Sequence, residues 1–371
     1  MQESYALWSL LTEPGDSLAG YLRTTFGINL AIEYVSSSIS AQELIKKFPE
    51  DGFRAPGFEN TLQENLDCYR RRLRTANPVA ALEVIAKLGG FLLTEQDDDW
   101  PIRIDDLGNS APGSLWCLGD RSLLNSSHSL SVIGSRLASD YGLDLAKDMV
   151  RFAVAENWTV VSGGALGIDA MAAVGAMEHG GKTVAVMAGG LDRLYPKQNL
   201  DLFRMIEASG LLVSEMAPGV APSRWRFLQR NRLIAALGDA TLVVEAGFRS
   251  GSINTAHHAG ELGRPVGAVP GRIDSVRSAG CHRLIREGRA ELIATPSHLR
   301  ELMGEKVIEA QHFKNLQSEQ IRALDALGAE PMNLEAVATS AGLTLFEAET
   351  ALSTLNQMQL VVTNKHGWAK P

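Results

Sequence analysis

Trp158 to Ala172 read WTVVSGGALGIDAMA. β-Branched residues lead into Ser162, Gly163 and Gly164, Gly167 closes the turn, and an alanine-rich helical segment opens at Ile168 or Asp169. A strand that runs through a glycine-rich turn into a helix is half of a βαβ unit, the building block of a parallel sheet. Unpaired N–H groups at the helix start, together with its dipole, favour anions, and glycines let a phosphate approach the backbone. Ser162, Gly163 and Gly164 are therefore expected to cradle phosphate. No Lys-Ser/Thr pair follows the glycines, which excludes a Walker loop, and the spacing fails the GxGxxG pattern. A tight turn with Asp169 capping the helix is the competing reading of this loop alone.

The same texture continues on both sides. SLSVIG (129–134), TVAVMAG (183–189), LLVSE (211–215), ATLVVEA (240–246) and PVGAVPG (265–271) read as strands between helical segments. From about 79 to 304 this predicts an α/β domain, a Rossmann-like doubly wound parallel sheet. Nearly every strand ends in Gly, Ser or Pro, and ligands of such sheets bind outside the carboxyl ends of the strands. Residues 1–78 carry helical apolar spacing broken by Pro-Gly pairs at 14–15 and 56–57, which predicts a small N-terminal helical domain, and it is expected to be SAM- or helix-hairpin-helix-like, a kind that the spacing itself does not specify. Its YRRRLR run (69–74) reads as a solvated helix end rather than a phosphate site. Residues 305–371 offer three short helices and a terminal hairpin around Lys365–Gly367, a winged-helix-like domain.

The chain has 371 residues, a formal charge of −8 and 45% hydrophobic content, enough for two or three domains with a substantial core. Net acidity argues against indiscriminate coating of nucleic acid, so any polyanion site must be local. Cys68, Cys117 and Cys281 are odd in number and form no CxxC, so neither a disulfide framework nor a zinc site is expected. They read as reduced thiols in the cytoplasm. No export signal and no apolar run of membrane-spanning length is seen. No cofactor or metal is called for.

Positive charge gathers at the strand ends. Ser135 and Arg136 follow the first strand, and EAGFRSGSINTA (245–256) brings Arg249, Ser250, Gly251, Ser252 and Thr255 after another. MAGGLDRLYPKQN (187–199) adds Arg193 and Lys197. SRWRFLQRNR (223–232) supplies Arg224, Arg226, Arg230 and Arg232 around Asn231, with no acid before Asp239. At least one of these four arginines is expected to pair with Glu215 or Glu245 in the core. Several loops of this kind on one edge suit a row of phosphates better than a single mononucleotide. Tyr195, Trp225 and Phe248 are candidate base-stacking residues, although aromatics in such positions serve equally well as core.

At this point GSR…YG, VVSGGALGID, AVMAGGLDRLYP, LLVSE, RNRLIAAL, VVEAGFRSGSINTA, AVPG and SAGCHRLIREGRA resemble, in order, the motifs of the DNA-processing protein A family (DprA, also called Smf). The resemblance covers about 100–304. It implies a Rossmann-like domain that binds single-stranded DNA and helps load RecA onto it during natural transformation. It carries DNA contact to Arg136 and Lys197, and places Arg230, Asn231, Arg232, Ser250, Gly251 and Ser252, with Ser135 and the glycine turn, near the same pocket. Three positions depart from the family pattern: Leu166 stands where it has arginine, Met171 to Ala173 lack its histidine, and Gly238 replaces a serine. The resemblance also implies a homodimer through SAGCHRLIREGRAELIATP (278–296), where Leu284, Ile285, Leu292 and Ile293 alternate with Arg283, Arg286 and Arg289.

The rival class is a nucleotide-processing enzyme of the phosphoribohydrolase kind. Its Pro-Gly-Gly-x-Gly-Thr-x-x-Glu signature is missing, and Asp169, Glu215 and Glu245 are unpaired in sequence and explained as well by capping or arginine binding. His257 and His258 are adjacent on a predicted helix and point apart, so they do not form a metal site. No catalytic residue is assigned. The C-terminal segment is net acidic, and its expected reading helix holds Glu347 and Glu349 without lysine or arginine. Phosphate contacts dominate DNA affinity, so this domain is expected to bind protein or to be vestigial.

Overall fold

Nine strands form one sheet: β1 Phe91–Thr94, β2 Ser114–Gly119, β3 Ser129–Gly134, β4 Thr159–Ser162, β5 Thr183–Met187, β6 Leu211–Ser214, β7 Ala240–Glu245, β8 Val266–Ala268 and β9 Glu291–Leu292. The structure, a computed structural model, describes residues 1–49, 57–305, 316–328, 331–358, 360–364 and 367–370. The strand order is β1-β2-β6-β5-β4-β3-β7-β8-β9. Every pair from β6 to β9 in that order is parallel, whereas β1–β2 and β2–β6 are antiparallel. The expected six strands are β3 to β8. The chain fills one direction from β3 to β6 and then returns to the far side of β3, so β3 and β7 flank the switch point where a doubly wound sheet opens a crevice.

Both faces of the sheet are covered, which is why its strands read as nearly continuous apolar runs. Leu130, Val132, Val160, Leu242 and Val244 pack on one face against Met149, Val150, Ala153, Ile168, Ala172 and Ala176. Ile133, Val161, Val184, Val186, Leu211, Val213 and Val243 pack on the other against Leu233, Ile234, Leu237, Ala256 and Ala259. The period-two alternation within each strand thus sorts residues between two helix layers.

The N-terminal helices Gln2–Leu11, Ser17–Phe26, Ile28–Ser36, Phe58–Leu73 and Pro78–Lys87 share a core with the sheet. Leu11, Leu22, Leu62, Leu66 and Tyr69 form one cluster with Trp116, Leu118, Met187 and Leu212. Asp16 starts the second of these helices by accepting from the Ala19 N–H at 3.0 Å. Gly20 lies so close to Asn109 that a Cβ would sit 2.8 Å from its carbonyl carbon. The YRRRLR run is not simply solvated: Arg70 donates to the carbonyls of Val35 and Ile39, and Arg72 to Leu11. By density of contacts residues 1–305 make one compact unit and 306–371 a second.

In the second unit helices Ser318–Ala326, Leu334–Ala341 and Leu345–Gln357 close over Leu324, Val337, Leu352, Leu355 and Val361, and strands Val362–Asn364 and Gly367–Ala369 form an antiparallel ribbon. Met332 bridges to Trp368 at its side, giving the winged-helix-like outline. Lys365 and His366, at the expected tip, lie outside the described residues. Thr344 and Glu347 form a reciprocal capping box, so one acid of the expected reading helix is spent on its own start.

Among the described residues no helix is long and apolar enough to cross a membrane, and no cluster of three or more His, Cys, Asp or Glu side chains is placed to hold a metal. Cys117 and Cys281 are buried, and burial pushes both thiols up, Cys281 to about 12.

Candidate functional site

The crevice at the switch point is a cavity of about 840 Å³. Its walls are the turn after β3 (Ser135, Arg136, Leu137), the turn and helix start after β7 (Arg249 to Ser252, Asn254, Thr255) and one face of helix Arg224–Leu237. Tyr195 closes one end, and Ala165 and Asp169 of the glycine turn reach in from below.

Short polar side chains hold these walls. Ser135 Oγ accepts from the Leu137 N–H at 3.2 Å. Glu245, at the end of β7, accepts from the Ser139 N–H at 2.9 Å and from its hydroxyl at 2.6 Å. That carboxylate therefore fixes the Arg136 turn and the helix behind it; among the described residues it has no arginine partner. Ser250 caps helix Gly251–Glu261 by accepting from Ser252 at 3.1 Å, and the two hydroxyls lie 2.8 Å apart. Asn231 donates to Gly251 O and Asn254 Oδ1, both at 3.2 Å, which ties the basic helix to that start.

The glycine turn behaves differently from a phosphate cradle. Ser162, Gly163 and Gly164 are all buried, and the Ser162 hydroxyl donates to Val132 O at 2.7 Å. The N–H groups of Gly134, Gly163 and Ala165 are turned to the carboxylate of Asp169, and Ile168 N–H donates to Ser135 O. The loop's anion is thus its own aspartate, and the three residues lie beneath the groove rather than on its surface. Burial pushes the Asp169 carboxyl up, while Arg230 and the three amides pull it back. Arg230 donates to Gly163 O at 2.6 Å and to Val186 O, and burial lowers its guanidinium to about 10, still charged near neutral pH. Asn199 donates to Gly164 O at 2.9 Å, joining the Tyr-Pro-Lys-Gln-Asn segment to the turn; nothing in the sequence reading pointed to it.

The four arginines of helix Arg224–Leu237 have four different surroundings. Arg224 is exposed on the groove wall. Arg226 forks onto Glu13 at 2.8 and 3.0 Å. Arg230 is buried in the floor. Arg232 is buried against Glu215 at 2.7–2.8 Å, the core pairing expected for at least one of the four, and it does not line the cavity. Burial likewise pushes the Glu215 carboxyl up against the opposing pull of Arg232.

Arg136 and Lys197 are both exposed. Arg136 lines the cavity with its guanidinium carbon 5.2 Å from the Phe227 ring, and Lys197 lies two residues beyond Tyr195, outside the lining. Phe227 also meets Tyr195 with ring centroids 5.7 Å apart and Arg230 at 5.7 Å, so one apolar ring organises the cations of the groove. An aromatic inside a basic run was a readable signal for it. Tyr195, Trp225 and Phe248 are each about half exposed rather than core.

Of the charged residues lining the cavity four are arginines (Arg136, Arg224, Arg230, Arg249) and one is acidic, Asp169, itself beside Arg230. A chain that is acidic in total therefore presents a positive groove with the exposed ring of Tyr195 in its lining, an arrangement that can hold several phosphates and stack an unpaired base.

Residues 91–304 match the family model for DNA recombination-mediator protein A. A Mycobacterium tuberculosis protein provisionally named DNA processing protein DprA is 42% identical over 257 residues, 66% of this chain and 65% of that one, so the chain spans just under two thirds of that relative's length. The X-ray structure of DNA processing protein A from Streptococcus pneumoniae superposes with a TM-score of 0.63 at 30% identity, covering 81% of this chain and 98% of the other. DNA processing protein A from Helicobacter pylori, described for its single-stranded DNA binding mode, gives a TM-score of 0.52 at 30% identity over 57% and 94%.

Proposed function

Because the chain belongs to the DNA recombination-mediator protein A family, the DprA/Smf proteins, we propose that its switch-point groove binds single-stranded DNA and that the protein acts in DNA processing and recombination during DNA uptake. The observation that carries this is the groove itself, four lining arginines with one internal carboxylate in a chain of charge −8. Arg136, Arg249 and Arg224 bind phosphates from the walls and Lys197 from beyond Tyr195. Ser135, Asn231, Ser250, Gly251 and Ser252 shape the surface between them. Ser162, Gly163, Gly164 and Arg230 support it from below. Exposed aromatic faces accept bases without regard to sequence.

The partners are RecA and a second copy of the chain, in the cytoplasm. Leu284 and Ile293 are 2% and 1% exposed and belong to the core, so a twofold contact through 278–296 draws on Leu292, at 47%, on half-buried Ile285 and on the free edge of β9. The domain limits at 78 and 304 are proposed with the same reading, although the first lies within a shared core.

Binding rather than catalysis is supported by the employment of each candidate acid: Asp169 by backbone amides and Arg230, Glu215 by Arg232, Glu245 by Ser139. Two measurements test the reading together. A labelled oligonucleotide should bind with log K falling linearly in log salt, and nucleoside monophosphates incubated with the protein should release no base. Base release without strand binding would favour the nucleotide-processing alternative.

A further inference from the structure

Glu13 lies in the loop between helices Gln2–Leu11 and Ser17–Phe26, far in sequence from the groove. Its Oε1 accepts from Arg226 Nη2 at 2.8 Å and from Arg72 Nη2 at 2.7 Å, and its Oε2 from Arg226 Nε at 3.0 Å. Arg226 is further held by Ala221 O at 2.7 Å, and its side chain is 22% exposed. The same loop presses along one face of the groove helix. Gly15 has φ +72°, and a Cβ there would lie 3.1 Å from Arg232 Nε and collide with Gln229. Arg226, Gln229 and Arg232, spaced i, i+3, i+6, are thus clamped by the N-terminal loop and Glu215. The groove lies against Arg224, Phe227, Leu228 and Asn231 of the same helix.

The first turn of this helix holds two arginines and no acid, at the end where the backbone already carries positive partial charge. Glu13 supplies the missing negative charge from outside. We propose that Glu13 is a positioning residue for the strand-binding groove: by gripping Arg226 it withholds that guanidinium from DNA, so the number of phosphates the groove neutralises is set from the N-terminal region. The proposal rests on the reading of the groove as a single-strand site. Arg226 lies two residues after Arg224 in the first turn of the groove helix, about 200° around it; released from Glu13, its long side chain reaches round the helix start toward the groove mouth and adds one phosphate contact. Its ion pair is therefore part of the control of affinity as well as of packing.

The test is the salt dependence of oligo(dT) binding by the full-length protein, read by fluorescence anisotropy, with thermal melts alongside. Glu13→Gln should steepen the slope of log K by about 0.7, the single-strand value per phosphate, so that between 50 and 200 mM salt its affinity falls about 2.6-fold more than that of wild type. Arg226→Gln alone should keep the wild-type slope, and the double variant should return to it. If Glu13→Gln does not fold, Arg226→Lys, which keeps the charge but loses the fork, should steepen the slope in its place. A purely structural Glu13 would lower the melting temperature and leave the slope alone; that result, or a shallower slope in Arg226→Gln, overturns the proposal. A wild-type protein that does not bind oligo(dT) overturns the strand reading and this inference with it.

Discussion

Gly163→Ala places a methyl group in the floor of the groove. The new Cβ would lie 2.6 Å from Cζ and Nη2 of Arg230, inside any tolerated contact, and Gly163 has no left-handed φ to strain, so the guanidinium alone must yield. It has little room to do so, because it is anchored to Gly163 O and Val186 O and lies under the Phe227 ring. Moving it breaks hydrogen bonds from a charged donor to two buried carbonyls, each worth about 1.5–3 kcal/mol. The expected loss is about 3–6 kcal/mol. At about 2 °C per kcal/mol for a unit of this size, the melting temperature should fall by roughly 6–12 °C. Scanning calorimetry on the full chain reads it, together with Arg230→Met and the double variant. With the guanidinium gone the methyl fits, so the double variant should melt with Arg230→Met rather than below it, a strong coupling of neighbours. A Gly163→Ala melt within about 1 °C of wild type, or additive effects in the double variant, would refute the account of the floor.

Arg136→Ala and Lys197→Ala should each make the salt slope of single-strand binding shallower by about 0.7 while barely moving the melting temperature; unchanged slopes in both would misplace the groove. Removal of 306–371 should leave most single-strand affinity, since that unit is net acidic, and a large loss in a folded truncation would show that the second unit carries binding. Sedimentation at micromolar concentration should find a dimer that Leu292→Asp weakens without unfolding. A monomer throughout, with and without DNA, would remove the twofold contact.

Sequence reasoning reached the parallel strands because residues buried on both faces give apolar runs, and those runs end in small residues at the groove. It missed β1, β2 and β9. Phe91–Thr94 is only four residues long, Ser114–Gly119 lies between two 3-10 turns and so outside the strand–helix alternation, and Glu291–Leu292 is too short to show a period. The site was half legible. Arg136 and Ser250 to Ser252 follow their strands directly, so topology alone brings them to the crevice. The arginines of 224–232 could not be sorted in advance, because at about 100° per residue they spread around the helix toward partners as distant in sequence as Glu13. The glycine turn misled for a related reason. A helix start that offers free amides accepts the nearest carboxylate, and Asp169 sits two residues past Gly167 to provide it.

The central claim, a groove for unpaired strands, is tested most directly by measuring one oligonucleotide as a single strand and as its blunt duplex, at the same salt and with the full-length protein. The groove is a crevice between turns, one helix start and the side of one helix, and so offers no protruding helix or ribbon to a major groove, whereas Tyr195, Trp225 and Phe248 stand exposed for bases that only a single strand can offer. Stacking of even one base is worth about 1–3 kcal/mol, so the single strand should bind about tenfold more tightly or better. Equal affinity for the two forms would contradict the account.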